Sequence, residues 1–299
     1  MLTKNDFKKQ IWFDLQNPTK DDIEALVAGE NISRVIAEDL FAPSPTQSLK
    51  EFGDASYIVL HIPNVTKKID GKETFEVDIV IGKDLLVTAA YDQVDPLHFL
   101  SKELEVGDYL LGESDEGHLF FILMHTIYQY INDELNFLVS KAKDIEKKIF
   151  EGNEKEMVLA LSIEMRNITN FKQVITPHQK IWEGLLLHNH TDTKFKKRLE
   201  DVQNRTELLL SLINNTADVI KDLTNTNNAL LSSRQNEIMK TLTVMAFIVL
   251  PLSLIASIFG MNTQLPFIPT TSAGFWIIIL LMTIIGLSLI YYFKHKKWF

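Results

Sequence analysis

Fifty-three consecutive residues, Thr241 to Phe293, contain no Asp, Glu, Lys, Arg or His. A membrane-spanning helix needs about 20 mostly apolar residues, so this run is long enough to cross a bilayer twice. Thr241–Phe259 supplies one span and Phe275–Phe293 the other. The connection is short, uncharged and carries Pro266 and Pro269, which predicts a tight loop. A buried hairpin in a soluble protein is the competing explanation, but so long a charge-free run fits a membrane far better. Arg234 and Lys240 precede the first span, and Lys294, Lys296 and Lys297 follow the second. The positive-inside rule therefore predicts that both ends are cytoplasmic. Trp276, Tyr291 and Tyr292 stand where interfacial aromatics belong.

The rest of the chain is hydrophilic. Its 39 acidic and 30 basic residues give a net charge of -9, which argues against a nucleic-acid partner. Cysteine is absent, so disulfides, thiolate metal sites and Cys nucleophiles are excluded. The first residues contain no signal-peptide apolar region, and the part before the spans is expected to stay in the cytoplasm.

Residues 1–115 read as a cytoplasmic α/β domain. Ile11–Leu15 reads as a strand, and Asn17-Pro18-Thr19 opens a helix over Asp21–Val27. Tyr57–Ile62, Phe75–Ile81 and Leu85–Tyr91 are β-rich, with turn signals at Ile69-Asp70-Gly71-Lys72 and Lys83-Asp84. Residues 116–192 read as a helical hairpin of Leu119–Phe150 and Lys155–Leu187, with Pro177 and Gly184 as its weak points. The segment His188–Asp192 is a predicted turn.

No Gly or Pro occurs between Gly184 and Pro251. One helix over Thr193–Leu250 would be roughly 85 Å long at 1.5 Å per residue, running as a stalk (193–240) into the first span (241–260). Such a helix needs partners along its length. Asn225, Asn228, Ser232, Asn236 and Met239 recur at steps of three and four and put a polar face on it. Below Asn225 a solvated outer face explains such a stripe equally well. At Asn236 and Met239, one turn from the bilayer, an aqueous channel explains it better. Thr243, Ser253 and Ser257 continue the line towards Asn262, and Pro251 removes one helical hydrogen bond. One helix cannot enclose a pore, so several copies must surround an axis.

A neutral, oxygen-rich lining suits a hydrated divalent ion. Mg²⁺ holds its waters tightly and is often bound through them, and Asn carbonyls can accept hydrogen bonds from those waters. No G-x-x-x-x-G-K-[ST] phosphate loop is present, consistent with passive movement.

Ile258-Phe259-Gly260-Met261-Asn262 resembles the signature of the CorA family of magnesium transporters, a Gly-Met-Asn closing the first of two C-terminal spans. The resemblance extends to Asn236-Glu237-Ile238-Met239-Lys240, to Pro251-Leu252, to the tail Lys294-His295-Lys296-Lys297-Trp298, and near the N-terminus to Trp12–Leu15, Asn17-Pro18-Thr19 and Ala37–Leu40. It implies an α+β cytoplasmic domain, a long stalk helix and two C-terminal transmembrane helices, assembled as a homopentameric, funnel-shaped channel in the inner membrane. In that assembly Gly260, Met261 and Asn262 form the selectivity filter for hydrated Mg²⁺. The resemblance makes Asn236, Met239, Leu242, Ala246, Leu250 and Ser253 pore-lining, with Met239 and Leu250 as apolar constrictions. It also implies regulatory Mg²⁺ bridging carboxylates of neighbouring subunits, at positions matched by Glu38, Asp39 and Asp201.

Two departures stand out. The external loop 261–274 has no acid, where relatives often carry a Met-Pro-Glu-Leu-like sequence. Asn225 and Asn228 replace an acidic residue and an apolar gate in the lower stalk. The competing readings are a Co²⁺, Ni²⁺ or Zn²⁺ transporter of the same architecture, with His188-x-His190 its one hint, a membrane-tethered enzyme, and a structural scaffold. No nucleophile–base arrangement favours the enzyme.

Overall fold

The computed structural model describes every residue except 1, 8–9, 31, 67–72, 83, 93, 107–116, 188–192, 262–271, 297 and 299. The turn expected at Ile69–Lys72, Lys83 of the Lys83-Asp84 turn, the His188-x-His190 pair and residues 262–271 of the connection lie outside the described residues. The chain divides into two compact units, Met1–Thr224 and Asn225–Phe299.

The first unit is built on a six-stranded sheet of order β1-β2-β6-β5-β4-β3. Its strands are β1 (Leu2–Phe7), β2 (Gln10–Gln16), β3 (Ser48–Phe52), β4 (Ala55–Pro63), β5 (Thr74–Ile81) and β6 (Leu85–Ala90). All neighbouring pairs are antiparallel except β2 and β6, which run parallel, with Trp12 opposite Leu86 and Asp14 opposite Thr88. A parallel pair needs a crossover, and here β3, β4 and β5 lie in sequence between the two strands.

Helices α1 (Lys20–Glu30) and α2 (Arg34–Asp39) cover one face. Ile23, Leu26, Ile36 and Leu40 pack there against Phe13, Leu15, Tyr57, Val59, Val80 and Val87. The start of α1 is fixed by a reciprocal cap. The Thr19 backbone N–H donates to Asp22 Oδ2 at 3.0 Å, and the Asp22 N–H donates to Thr19 Oγ1 at 3.3 Å, which satisfies two otherwise orphaned donors. These bonds from Thr19 hold the exposed Asp22 carboxyl below its ordinary pKa.

Alternation along β4 sends Ile58, Leu60 and Ile62 to the opposite face, where α4 (His118–Phe150) and α5 (Glu154–Leu186) lie against the sheet. A shorter helix, α3 (Asp95–Val106), packs on α4. Helix α5 runs unbroken through Pro177 and Gly184.

Helix α6 (Thr193–Phe259) contributes to both units. In the first, Phe195, Leu199, Val202, Thr206, Leu209, Ile213, Thr216, Ile220 and Leu223 are buried. These positions alternate steps of four and three, the 3.5-residue period of a helix packed along its length. Phe195 stacks on Phe120, ring centroids 6.0 Å apart, and meets Phe121 edge-on. That packing explains Gly117, which precedes α4 with φ +76°: a Cβ there would fall 2.5 Å from the Phe195 ring. A side chain is thus excluded by both conformation and space.

In the second unit, the end of α6 and α7 (Ser272–His295) are two helices long and apolar enough to cross a membrane. Most of their large side chains are exposed in the single chain, including Met239, Leu242, Leu250, Leu254, Phe275, Leu280 and Leu287.

Candidate functional site

The pattern along α6 in the second unit has two sides. Val244 is buried, and Ile248, Pro251, Leu252 and Ile255 are half-buried. Leu252 lies beside Gly286 of α7, and the Phe247 ring is 6.3 Å from that of Phe293. This is the side of α6 turned to α7. The stripe expected from the sequence is Asn225, Asn228, Ser232, Asn236, Met239, Leu242, Ala246, Leu250 and Ser253, and every member is exposed. Ala246 and Leu250 each stand two residues beyond a member of the covered line. Two residues turn an α-helix by about 200°, so Ala246 and Leu250 stand on the side away from α7, whereas every residue from Ser232 to Leu242 is exposed.

Not every hydroxyl near the stripe is open to a ligand. Thr241 Oγ1 donates to the Glu237 carbonyl at 2.9 Å, and Thr243 Oγ1 to the Met239 carbonyl at 2.7 Å. Thr243 thus satisfies its polarity within its own helix, the ordinary behaviour of a membrane hydroxyl.

Helix α6 ends at the Gly-Met-Asn motif. The Gly260 N–H donates to the Ala256 carbonyl at 2.9 Å, and the Met261 N–H to the Ile258 carbonyl at 3.4 Å. The tightening from a four-residue to a three-residue spacing closes the last turn. A Cβ on Gly260 would sit 3.0 Å from the Ala256 carbonyl oxygen, a backbone atom that can move only with the turn. Met261 is exposed, and Asn262 lies outside the described residues.

The three acids expected to bind regulatory ions lie in the first unit. Glu38 is exposed and pairs with Arg34, one turn earlier on α2, at 3.3 Å. Asp39 accepts from Lys50 Nζ at 2.6 Å, and that ammonium lies 5.6 Å from the centre of the Tyr57 ring. Asp201 is exposed beside a cavity of about 150 Å³, lined also by Phe121, His125, Arg198 and Arg205. Arg198 and Arg205 bond the Nδ1 atoms of His118 and His125 across to α4, each at 3.0 Å. Each acid therefore has cations near it, and among the described residues no three His, Asp or Glu side chains converge in a way that could hold a metal.

Sequence reading missed a buried polar chain tying sheet to helices. His178 Nε2 donates to the His61 carbonyl of β4 at 3.0 Å, which leaves Nδ1 to accept from the Tyr128 hydroxyl at 3.1 Å. Trp182 Nε1 donates to Tyr128 Oη at 2.8 Å and to Thr206 Oγ1 at 3.0 Å. Thr206, on α6, reaches Tyr128 Oη at 2.7 Å. The chain thus crosses β4, α5, α4 and α6, joining residues more than a hundred positions apart, and no local pattern signals it. A second cluster lies on the α1/α2 face of the sheet. The Tyr57 and Tyr91 hydroxyls both donate to Asp78 Oδ2 at 2.8 Å, and burial pushes the Asp78 carboxyl up. On the other face Trp12 Nε1 donates to Thr88 Oγ1 at 3.0 Å, and Thr88 donates to Asp14 at 2.7 Å. Burial raises the Asp14 pKa as well.

Burial holds the His178 imidazole down to about 4, from an ordinary 6.5. The unfolded chain then binds more protons than the folded one between those values. Stability from this group is complete above pH 6.5 and is lost as pH falls through 4. Replacement by Gln keeps a donor for His61 and an acceptor for Tyr128 without titrating. Between pH 7 and pH 5, the wild type should lose about 2 kcal/mol more folding stability than His178→Gln. Thermal melting of both full-length proteins across that range measures it, and parallel pH profiles would refute the assignment.

A family model described as CorA-like Mg²⁺ transporter protein matches residues 7–295. The cobalt/magnesium transport protein CorA of Thermotoga maritima is 23% identical over 100% of this chain and 86% of its own length. A zinc transport protein ZntB of Yersinia pseudotuberculosis is 19% identical over 96% of this chain and 87% of its own length. The complete structure of the CorA magnesium transporter from Methanocaldococcus jannaschii superposes with a TM-score of 0.82 at 21% identity, covering 99% of this chain and 94% of that one.

Proposed function

Because the chain belongs to the family of CorA-like Mg²⁺ transporter proteins, a family of divalent cation transporters, we propose that it admits Mg²⁺ passively through a pore formed by several copies of α6. The observation that carries this reading is the exposed stripe Asn225–Ser253, which at Ala246 and Leu250 stands on the side of α6 away from α7 and leads to Gly260-Met261-Asn262. Five copies around an axis, with the soluble units as a cytoplasmic funnel and α7 as a lipid-facing outer ring, would bring these stripes together. Both chain ends would then lie in the cytoplasm, below an inner membrane crossed twice. Polar groups at membrane depth are tolerated where they face water, and a central aqueous path supplies it.

In this reading Asn262 is the outer filter. Its side-chain carbonyl accepts hydrogen bonds from waters on Mg²⁺, so the ion need not be stripped of its shell. Met239 and Leu250 form apolar constrictions that close by excluding water. Inward movement of two charges gains roughly 4.6 kcal/mol per 100 mV, so no coupled energy source is required. Regulatory Mg²⁺ is held at Asp39 and Asp201 of neighbouring copies, with Glu38 at its margin. Bound ions favour the closed state, and their loss shifts the population towards the open one.

A zinc- or cobalt-carrying protein of the same build is the second reading, favoured by the likeness to ZntB and by the relative's name. Met261 in the middle of Gly-Met-Asn weighs towards magnesium. Uptake into vesicles holding the purified protein distinguishes the two. Mg²⁺ should enter in proportion to an imposed inside-negative potential, ahead of Co²⁺, Ni²⁺ and Zn²⁺. Zn²⁺ entering while Mg²⁺ does not would replace the proposal with the second reading.

A further inference from the structure

The charged end of the transmembrane pair holds a cavity that ion conduction does not use. Its volume is about 500 Å³, and it is lined by Phe247 of α6 and by Tyr292, Phe293, Lys296 and Trp298 at the end of α7. The tail shapes it by folding back. The Lys296 N–H donates to the Tyr292 carbonyl and the Trp298 N–H to the Phe293 carbonyl, each at 3.0 Å. The Trp298 indole comes to rest 5.8 Å from the Phe293 ring, which lies 6.3 Å from Phe247 on the other helix. Phe293 is thereby buried, whereas Phe247, Tyr292 and Trp298 keep large exposed areas.

The cavity has two chemical ends. Phe247 lies seven residues beyond Lys240, about 10 Å along the helix axis, at a depth where hydrocarbon replaces headgroups. At the other end stands the Lys296 ammonium, in a tail whose last six residues contain three Lys and no acid. A ligand that fits both ends is anionic at its head and apolar below. Near a membrane that chemistry belongs to an anionic phospholipid, and each Lys close to an anionic surface strengthens such binding roughly fivefold. Tyr and Trp at this level suit the headgroup region.

We propose that this cavity binds one anionic phospholipid per chain, its phosphate on Lys296 and its upper acyl chain along Phe247 and Phe293. The inference rests on the membrane reading of α6 and α7 and is independent of which ion is carried. A bound lipid would clamp the two spans at their charged end, so it should raise the thermal stability of the full-length protein.

The test uses full-length protein in micelles doped with phosphatidylglycerol, with phosphatidylcholine, or with soluble glycerol phosphate. Phosphatidylglycerol should raise the melting midpoint while the other two leave it unchanged. Lys296→Gln should weaken the apparent affinity for phosphatidylglycerol roughly fivefold. Trp298→Ala, which opens the outer wall without touching the charge, should weaken it too. Equal effects of the two lipids, or an undiminished response in Lys296→Gln, would overturn the proposal. So would a full response to glycerol phosphate, which identifies a free phosphate as the ligand. Native mass spectra without retained phosphatidylglycerol would overturn it likewise. Vesicle flotation separates the two layers of the argument. Protein that washes off membranes at alkaline pH refutes the membrane reading itself, whereas protein that stays and shows no lipid preference refutes only the lipid site.

Discussion

Asn262→Ala should leave a protein that assembles in the membrane and carries almost no Mg²⁺. In the proposed pore, one Asn from each copy faces the axis just beyond the last turn of α6. Each amide carbonyl accepts a hydrogen bond from water on the ion, and each such bond contributes about 1 kcal/mol. Removing the whole ring at once forfeits several, so uptake should fall by more than roughly a hundredfold. Alanine adds no bulk, which means that loss of transport would come from lost chemistry and not from a blocked path. Asn262→Asp should behave differently. A ring of carboxylates would bind the ion more strongly and slow its release, lowering the maximal rate while improving the apparent affinity. Ion uptake into vesicles, alongside size-exclusion elution in detergent, reads both variants. Selective Mg²⁺ uptake at the wild-type rate in Asn262→Ala would move the filter elsewhere on α6.

Replacing both Asp39 and Asp201 by Asn should free the channel from inhibition by internal Mg²⁺, raising the half-inhibitory concentration at least tenfold. Removal of the two charges takes away the ligands of the proposed regulatory ion. The structure adds a sharper companion test. Asp39 already has a cation, Lys50, at 2.6 Å, and any Mg²⁺ that arrives must compete with it. An ion pair this exposed is worth at most about 1 kcal/mol. Lys50→Met should therefore make inhibition more sensitive, by about two- to fivefold. Currents recorded across a range of internal Mg²⁺ measure both shifts. The double variant and Lys50→Met must move in opposite directions, and movement in the same direction would refute metal binding at Asp39.

The elements that strongly periodic sequence builds were legible in advance. The central strands β2, β4, β5 and β6 carry β-branched and aromatic runs, and α4, α5 and α6 carry long helical stripes. The two apolar helices needed only length and the absence of charge. The edge strands were not legible. Leu-Thr-Lys-Asn-Asp-Phe in β1 has no apolar alternation and is a strand because β2 offers it an antiparallel partner. Ser48–Phe52 in β3 is likewise short, half-exposed and polar. Edge strands are commonly kept polar because an apolar edge would recruit other chains. Asp14 and Asp78 are harder still. Each stands in a buried strand with helices against both faces of the sheet, and each accepts from hydroxyls of distant segments, Thr88 for Asp14 and Tyr57 and Tyr91 for Asp78 Oδ2, while Asp78 Oδ1 is buried without a partner among the described residues. The stripe on α6 was readable as spacing, but which side of the helix stays uncovered became visible only once the α7-facing line at Val244 and Leu252 was in place.

Thr206 has a mechanical consequence. Its hydroxyl sits between the phenol of Tyr128 and the indole of Trp182, inside a core from which water is excluded. Rolling α6 by a single residue, about 100°, would swing that hydroxyl out and break its contacts with the Tyr128 hydroxyl and the Trp182 N–H. Each lost hydrogen bond would cost about 1 kcal/mol. Sliding the helix by one turn would replace the threonine with Val202 or Leu210, neither of which can accept or donate. Thr206 therefore works as a key in a keyway. It fixes the angular setting of the shaft and its axial position while leaving small tilts free, so force delivered to α6 in the soluble unit is transmitted as leaning and not spent as spin.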